Sequence, residues 1–210
     1  MKKQLQEHWE KVYNSKETNQ LGWYEEIPEQ SLNLIKKCCL DKNEIILDVG
    51  SGASTLIDNL ITMGYKNIIA TDISETALSK LKKRLGEETS SSVKFIADNI
   101  ADSKQIQKLR NIALWHDRAV LHFLTKDDGR KGYLSTLLKV VKKGGYVIIA
   151  AFSLEGAEKC SGLDVRRYNQ NMIQKFLGSD FKLLEHFSYL YYTPSGNARP
   201  YVYTLFKRIK

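Results

Sequence analysis

The sequence predicts a single α/β domain built on a mostly parallel sheet. Two patterns carry this expectation. Short apolar runs that fit buried strands alternate with amphipathic stretches of helical period. The last two strand-like runs, by contrast, flank only the turn-rich segment Thr193–Pro200, which makes them an antiparallel hairpin. Counting Ile45–Leu47, Asn67–Asp72, Val93–Ala97, Ile112–His116, Tyr146–Phe152, Phe181–Tyr192 and Tyr201–Arg208 gives seven strands. With right-handed crossovers they form a Rossmann-like sheet, and a chain of 210 residues suffices for one core.

Composition narrows the function classes. Hydrophobic residues at 42% and charged residues at 27% are ordinary globular values. No apolar run approaches the roughly 20 residues that span a bilayer. The N-terminus, Met-Lys-Lys-Gln-Leu-Gln-Glu-His, has no apolar stretch behind its basic residues, so a cytoplasmic location is expected. The net charge of +8 is spread over lysines such as Lys80, Lys82, Lys83, Lys104, Lys108, Lys142 and Lys143. No recognised nucleic-acid module surrounds them, which argues against a nucleic-acid partner. The adjacent pair Cys38-Cys39 and the lone Cys160 have neither disulfide nor metal-ligand spacing.

Leu5, Trp9, Val12 and Tyr13 recur at helical spacing, so residues 3–15 form a helix with one aromatic face, serving either the core or closure of a crevice. Gly22-Trp23-Tyr24 adds aromatics before Pro28. Residues 29–40 put Leu32, Ile35, Cys39 and Leu40 on one helical face, with Cys39 as a small core residue. Next comes the stretch around which the chain is organised, Leu47-Asp48-Val-Gly50-Ser51-Gly52-Ala-Ser54, followed by a helix over 55–63. Glycines at 50 and 52 let a ligand approach the backbone, and the helix start offers unpaired N–H groups. A dinucleotide fingerprint would place a third glycine where Thr55 stands, which weighs against NAD. Asp48 suits a cofactor with a cationic amino-acid end, as in S-adenosyl-L-methionine.

Asp72 closes the second strand about 20 residues beyond the glycine turn, the spacing at which a carboxylate accepts hydrogen bonds from ribose hydroxyls. Its alternative role is a cap for a helix over 75–85, which leads to a loop over 86–92. After the third strand, Asp98-Asn99-Ile100 offers an acceptor for an adenine amino group while the ring packs on Ile73 or Ile100. The fourth strand delivers His116 and Asp117, on opposite sides of an extended chain, to the reacting end. Asp117 is the first choice for cofactor or substrate contact, and His116 for accepting a proton or packing under the next segment. A helical stretch Ala119–Leu124 follows, in which His122 is a packing or surface residue. A helix over 130–141 precedes the fifth strand. Residues 153–168 lack periodicity and hold the substrate candidates Cys160, Arg166, Arg167 and Tyr168. A helix over 169–177 leads into the hairpin.

The run Leu-Asp-Val-Gly-Ser-Gly-Ala-Ser resembles the first motif of class I S-adenosylmethionine-dependent methyltransferases, with Ser54 in place of the usual third glycine. Asp72 and Asp98 match the family's second and third cofactor contacts, whereas Ala113 stands where the family usually has an acid. The block Trp115-His-Asp-Arg-Ala-Val-Leu-His-Phe-Leu124 resembles a subgroup of small bacterial members. The pattern Trp9-x-x-x-Tyr13, then Trp23-Tyr24, is similar to the cofactor-covering segment of the elongation-factor lysine methyltransferases. That resemblance implies a lid made by Trp9, Tyr13 and Trp23, with residues 1–28 as lid segment and 29–210 as the methyltransferase domain.

Methyl transfer from a sulfonium needs alignment more than a catalytic side chain. The fourth strand is followed by no Asn-Pro-Pro-aromatic motif and no strand-end cysteine, which lowers the odds of nucleobase methylation. Asp72, Asp98 and Asp117 are too dispersed around the crevice for a magnesium site, so no metal is expected. The expected function is methyl transfer to a small-molecule or protein-lysine acceptor. The alternatives are a catalytically silent adenosine-cofactor binder and, behind it, an NAD-dependent oxidoreductase. The sequence leaves open the acceptor, the atom methylated, the oligomeric state and whether His116 acts as a base.

Overall fold

The computed structural model describes residues 2–210, so Met1, the first residue of the expected 1–28 segment, lies outside the described chain. In chain order the main elements are α1 (Lys2–Ser15), α2 (Glu29–Lys37), β1 (Ile45–Val49), α3 (Leu56–Thr62), β2 (Asn67–Asp72), α4 (Glu75–Ser90) and β3 (Val93–Ala97). There follow β4 (Ile112–Arg118), α5 (Asp127–Val140), β5 (Val141–Phe152), β6 (Lys159–Cys160), β7 (Leu163–Asp164), α6 (Gln170–Leu177), β8 (Phe181–Tyr192) and β9 (Ala198–Arg208).

Seven strands form one sheet in the order β3-β2-β1-β4-β5-β9-β8. The first five pair in parallel, and β9 runs antiparallel to both β5 and β8. This is the expected Rossmann-like sheet with its C-terminal antiparallel pair. Strand order reverses between β1 and β4, and a crevice opens at the carboxyl ends of strands on either side of such a switch.

The two sheet faces bury separate clusters. Leu47, Trp115, Tyr133, Val147 and Phe206 pack on one face, and Ile46, Leu114, Ile148, Leu34 and Ile35 on the other. The alternation along β4 follows from the two-residue strand period. Helix α2 belongs to the second cluster, whereas Trp9, Tyr13, Leu21, Ala53 and Ala77 form a small third one.

Several local expectations change. Helix α2 ends at Lys37, so Cys38 is the buried thiol, its Sγ 3.3 Å from Leu34 O, while Cys39 is exposed at φ 48°. Helix α4 runs on to Ser90 across a break at Gly86 rather than yielding to a loop. The stretch 119–124 holds only a 3-10 turn at Leu121–Phe123, because Ala119 takes a φ of 72° and leaves the helical region. Helix α5 begins earlier, at Asp127, and β5 starts already at Val141, paired with Ile112. The segment 153–168 contains the two-stranded ribbon β6-β7. No helix among the described residues is long and apolar enough to cross a membrane.

Candidate active site

The turn after β1 is built from two left-handed glycines. Gly50 and Gly52 have φ of 64° and 54°. A Cβ on Gly50 would fall 2.1 Å from Val120 Cγ2, and one on Gly52 would fall 2.3 Å from Tyr13 Oη. Both positions therefore exclude a side chain on conformation and on space. Ser51 N–H donates to Thr71 O at 2.8 Å, tying the turn to β2. Ser54 stands in the place of a third glycine, and its Oγ accepts from Leu56 N–H, at the first residue of α3, at 3.1 Å. Arg84 donates to Ala53 O and Ser54 O, both at 2.6 Å, and holds the carbonyl side of the turn.

In front of this turn lies a crevice, at the carboxyl ends of the strands where ligands of open α/β sheets bind. Its wall includes Trp9, Tyr13, Trp23, Gly50, Asp72, Ile73, Asp98 and Asn99, eight of the residues expected from sequence. Asp72 Oδ2 accepts from Gly52 N–H at 2.9 Å, and Oδ1 from Ser74 N–H at 2.8 Å. A carboxylate has about four acceptor sites, so capacity for hydroxyl donors remains. Burial pushes the Asp72 carboxyl up to about 6, against the lowering effect of these backbone donors. The cap of α4 is Ser74, which accepts from Ala77 N–H, so Asp72 is not spent on that role.

Asp98 differs from expectation. Its oxygens accept from the N–H groups of Asn99, Lys104, Gln105 and Ile106 and from Ser103 Oγ. Burial would raise its pKa, but these donors bring it below the usual carboxylate range. The carboxylate is committed to folding the turn that follows β3, so an adenine amino group would compete with five internal donors. Asn99 Oδ1 likewise accepts from Ala101 N–H at 3.0 Å.

The aromatic residues of the N-terminal segment meet over the cavity. Trp9 lies edge-on to Trp23 at 5.6 Å and to Phe123 at 5.0 Å, and Tyr13 is edge-on to Trp23 at 5.9 Å. Glu10, on the same helix, accepts from Ser74 Oγ and from the N–H groups of Glu75 and Thr76. These are orphan donors at the start of α4, where a negative charge is favoured. The pin therefore needs both the acid on α1 and the helix start beside Asp72.

A second cavity adjoins the first through Trp23, Gly50 and Arg118, and Asp48, Ser51, Ser31, Glu25 and His116 line it. His116 Nδ1 lies 2.6 Å from Asp48 Oδ1 and its Nε2 lies 2.9 Å from Ser31 Oγ. The imidazole is thus fixed at both nitrogens and buried, and it orients Asp48. A proton-accepting role at the acceptor does not fit a ring held this way.

Asp117 requires the plainest correction. Alternation along β4 sends it to the α5 side, where Tyr133 Oη donates to it at 2.8 Å and Val120 N–H at 2.9 Å. It lines neither cavity. Burial raises its carboxyl to about 6, opposed by those donors. Its effect on the site is indirect, through the position of Val120 against Gly50.

Of the substrate candidates, Cys160 lines the first cavity. Arg167 pairs with Glu158, Arg166 lies over the Tyr168 ring, and Tyr168 is buried in the α5-side cluster. His122 is a fully buried packing residue, held neutral by burial, which lowers its pKa to about 3. Arg118, Phe123, Phe152 and Tyr201, none of them a site candidate from the sequence, also line the first cavity. A charged residue closing an apolar strand was the available signal for Arg118.

A doubly wound sheet with a glycine turn, a strand-end acid and a crevice at the switch point has the features at which such folds bind nucleoside cofactors. The family follows from comparison. Residues 40–184, more than half of the chain, match the family described as "Methyltransferase domain", and the chain belongs to that family. Its cofactor is S-adenosyl-L-methionine. Mouse EEF1A lysine methyltransferase 2 is 21% identical over 165 residues, 72% of this chain and 67% of that protein. The chain thus spans about two thirds of that relative's length. A SAM-dependent methyltransferase from Anabaena variabilis superposes with a TM-score of 0.76 at 13% identity, covering 99% of this chain and 94% of that one. The Burkholderia thailandensis 1,6-didemethyltoxoflavin-N1-methyltransferase, with 1,6-didemethyltoxoflavin and S-adenosylhomocysteine bound, gives 0.69 at 16% identity, covering 100% and 87%.

Proposed function

We propose that this methyltransferase acts on a small-molecule acceptor enclosed in the first cavity. The observation that carries the reading is the direction of that cavity along the sheet. It runs from Asp72 at the end of β2, past Gly50 and Arg118, to Phe152 on β5 and Tyr201 on β9. With strands about 4.8 Å apart, β5 lies roughly 14 Å from β2, which leaves room for an acceptor beside a nucleoside.

The residues present fit the cofactor. Asp72 takes the ribose hydroxyls, and Ile73, Asn99 and Ile100 form the adenine wall with Asp98 shaping it. Gly50, Ser51 and Gly52 accommodate the sulfur side, and Asp48, held by His116, faces the amino-acid end. When bound, S-adenosylmethionine supplies an electrophilic methyl group. The chain contributes alignment and exclusion of water through Trp9, Tyr13 and Trp23, and these can supply several kcal/mol of rate enhancement without a general base. A cytoplasmic setting belongs to the same reading and agrees with three unpaired cysteines.

A protein-lysine acceptor is the second reading, favoured by the likeness to EEF1A lysine methyltransferase 2. The test begins with calorimetric titration of S-adenosylmethionine, S-adenosylhomocysteine and NAD. Labelled-methyl transfer to cell extract then follows, with fractions split by a size cut-off filter or treated with protease. Label in the small-molecule fraction supports the first reading. Label in a protease-sensitive band replaces it with the second, and binding of NAD alone rejects both.

A further inference from the structure

Among the described residues, Arg118 is the one charged side chain that borders both cavities. It sits at the end of β4, between the glycine turn on β1 and Phe152 on β5. Its Nε lies 3.0 Å from Tyr203 Oη and 3.1 Å from Glu25 Oε2, and Nη1 donates to Trp23 O at 2.8 Å. The third nitrogen, Nη2, is buried and has no hydrogen-bond partner. The side chain is only 10% exposed. A buried guanidinium N–H without an acceptor is costly, and a charged ligand oxygen removes that cost.

The surroundings say what such a ligand would look like. The ring centroids of Tyr191 and Tyr201 lie 5.0 and 5.2 Å from the guanidinium carbon. Phe123, Phe152, Tyr201 and Cys160 supply the rest of this end of the first cavity, and they offer a broad, largely aromatic wall. The carboxylates in that cavity, Asp72 and Asp98, belong to β2 and the turn after β3, on the far side of β1. Glu25, on the second cavity, is already paired with Arg118. A cationic acceptor would therefore find a guanidinium and no counter-charge where it has to sit.

We propose that Arg118 anchors an anionic group of the methyl acceptor, and that the acceptor is a flat, largely aromatic molecule carrying a carboxylate or a comparable oxyanion. This rests on the small-molecule reading above and specifies its substrate class. The unpartnered Nη2 suits an oxygen of a carboxylate, and the aromatic wall takes the body of the molecule. The bound acid would orient the acceptor towards the donor side of the cavity.

The methionyl carboxylate of the cofactor has the same chemistry, so the test separates the two sources. The full chain is saturated with S-adenosylhomocysteine and titrated with benzoate, benzamide and benzylamine, one ring bearing an anionic, a neutral or a cationic group. Benzoate should bind about tenfold or more tightly than benzamide, and benzylamine should not bind. In Arg118→Lys and Arg118→Met the preference for benzoate should vanish while S-adenosylhomocysteine affinity stays within about twofold of the parent. The wild-type charge series needs no variant, so misfolding of Arg118→Met would not shelter the idea. Equal binding of the three probes, binding of none at millimolar concentration, or a preference for benzylamine overturns it. A large loss of S-adenosylhomocysteine affinity in Arg118→Lys, with the probe preference intact, assigns the guanidinium to the cofactor and also overturns it. Failure of the parent to bind S-adenosylhomocysteine at all refutes the methyltransferase reading instead.

Discussion

If Asp72 holds the ribose, cofactor affinity should depend on pH with a sign fixed by its surroundings. Burial raises this carboxyl to about 6, while Gly52 and Ser74 donate to it from the backbone. Hydroxyl donors favour the ionised form, so binding should lower the pKa and release a proton below about pH 6. Affinity is then full above that value and falls as the free protein becomes protonated. For complete preference, the ratio of ionised fractions makes S-adenosylhomocysteine about tenfold weaker at about pH 5 than at about pH 7. Asp72→Asn should remove this slope and weaken binding at neutral pH by about 1.5–3 kcal/mol, the usual worth of a hydrogen bond to a charged group. Calorimetry in buffers of different ionisation enthalpy reads both the affinity and the proton count. A folded parent with flat affinity over that range, or an Asn variant with the parent's slope, would refute the assignment.

Glu10→Ala should release α1 from the start of α4, costing about 0.5–2 kcal/mol of local stability and loosening S-adenosylhomocysteine, while the midpoint of global unfolding barely moves. Hydrogen exchange across residues 2–24 checks it, and unchanged protection there would count against the pin. Gly52→Ala should destabilise the turn through its positive φ and force Tyr13 off the site, with cofactor binding lost before the fold is, as read by titration beside thermal melting. Asp117→Asn bears on stability and not on cofactor contact. Its folded pKa of about 6 exceeds the ordinary 3.8, so the wild-type chain gains stability below the lower value and loses it as pH rises through the upper. Denaturant titrations at a series of pH values should show that decline, and the Asn variant should lack this component. A decline of the same size in both proteins refutes the assignment.

The strands and their order of use were legible because each carries a local signature. Asp72 could be placed from spacing alone, since the strand and turn geometry that bring it to Gly52 are regular. Asp117 was misassigned because strand alternation says only that it opposes His116; which side faces the crevice depends on α5 and Tyr133, remote in sequence. His116 lies on the crevice side, yet its two ring nitrogens are claimed by Asp48 and by Ser31 on α2, a tertiary pairing with no sequence signal. Asp98 looked like a ligand residue for the same reason that it caps a turn: an acid after a strand suits either. The helical period of α2 points Cys39 at the core only if it continues past Lys37, where the helix stops and the buried position falls to Cys38.

If α1 closes over a bound cofactor, as proposed, that closure has a kinetic side. Tyr13 rests on Gly52, and Glu10 is tied to the backbone donors that follow Asp72, so the same few residues border the nucleoside's place and fasten the cover over it. On that reading a ligand filling that place would leave only once the cover is unfastened. Exchange then becomes a unimolecular opening followed by escape, and opening governs the dwell time of the demethylated product. Observed association rates should level off at high ligand concentration instead of rising without limit, at a plateau set by how often fourteen residues of helix lift away.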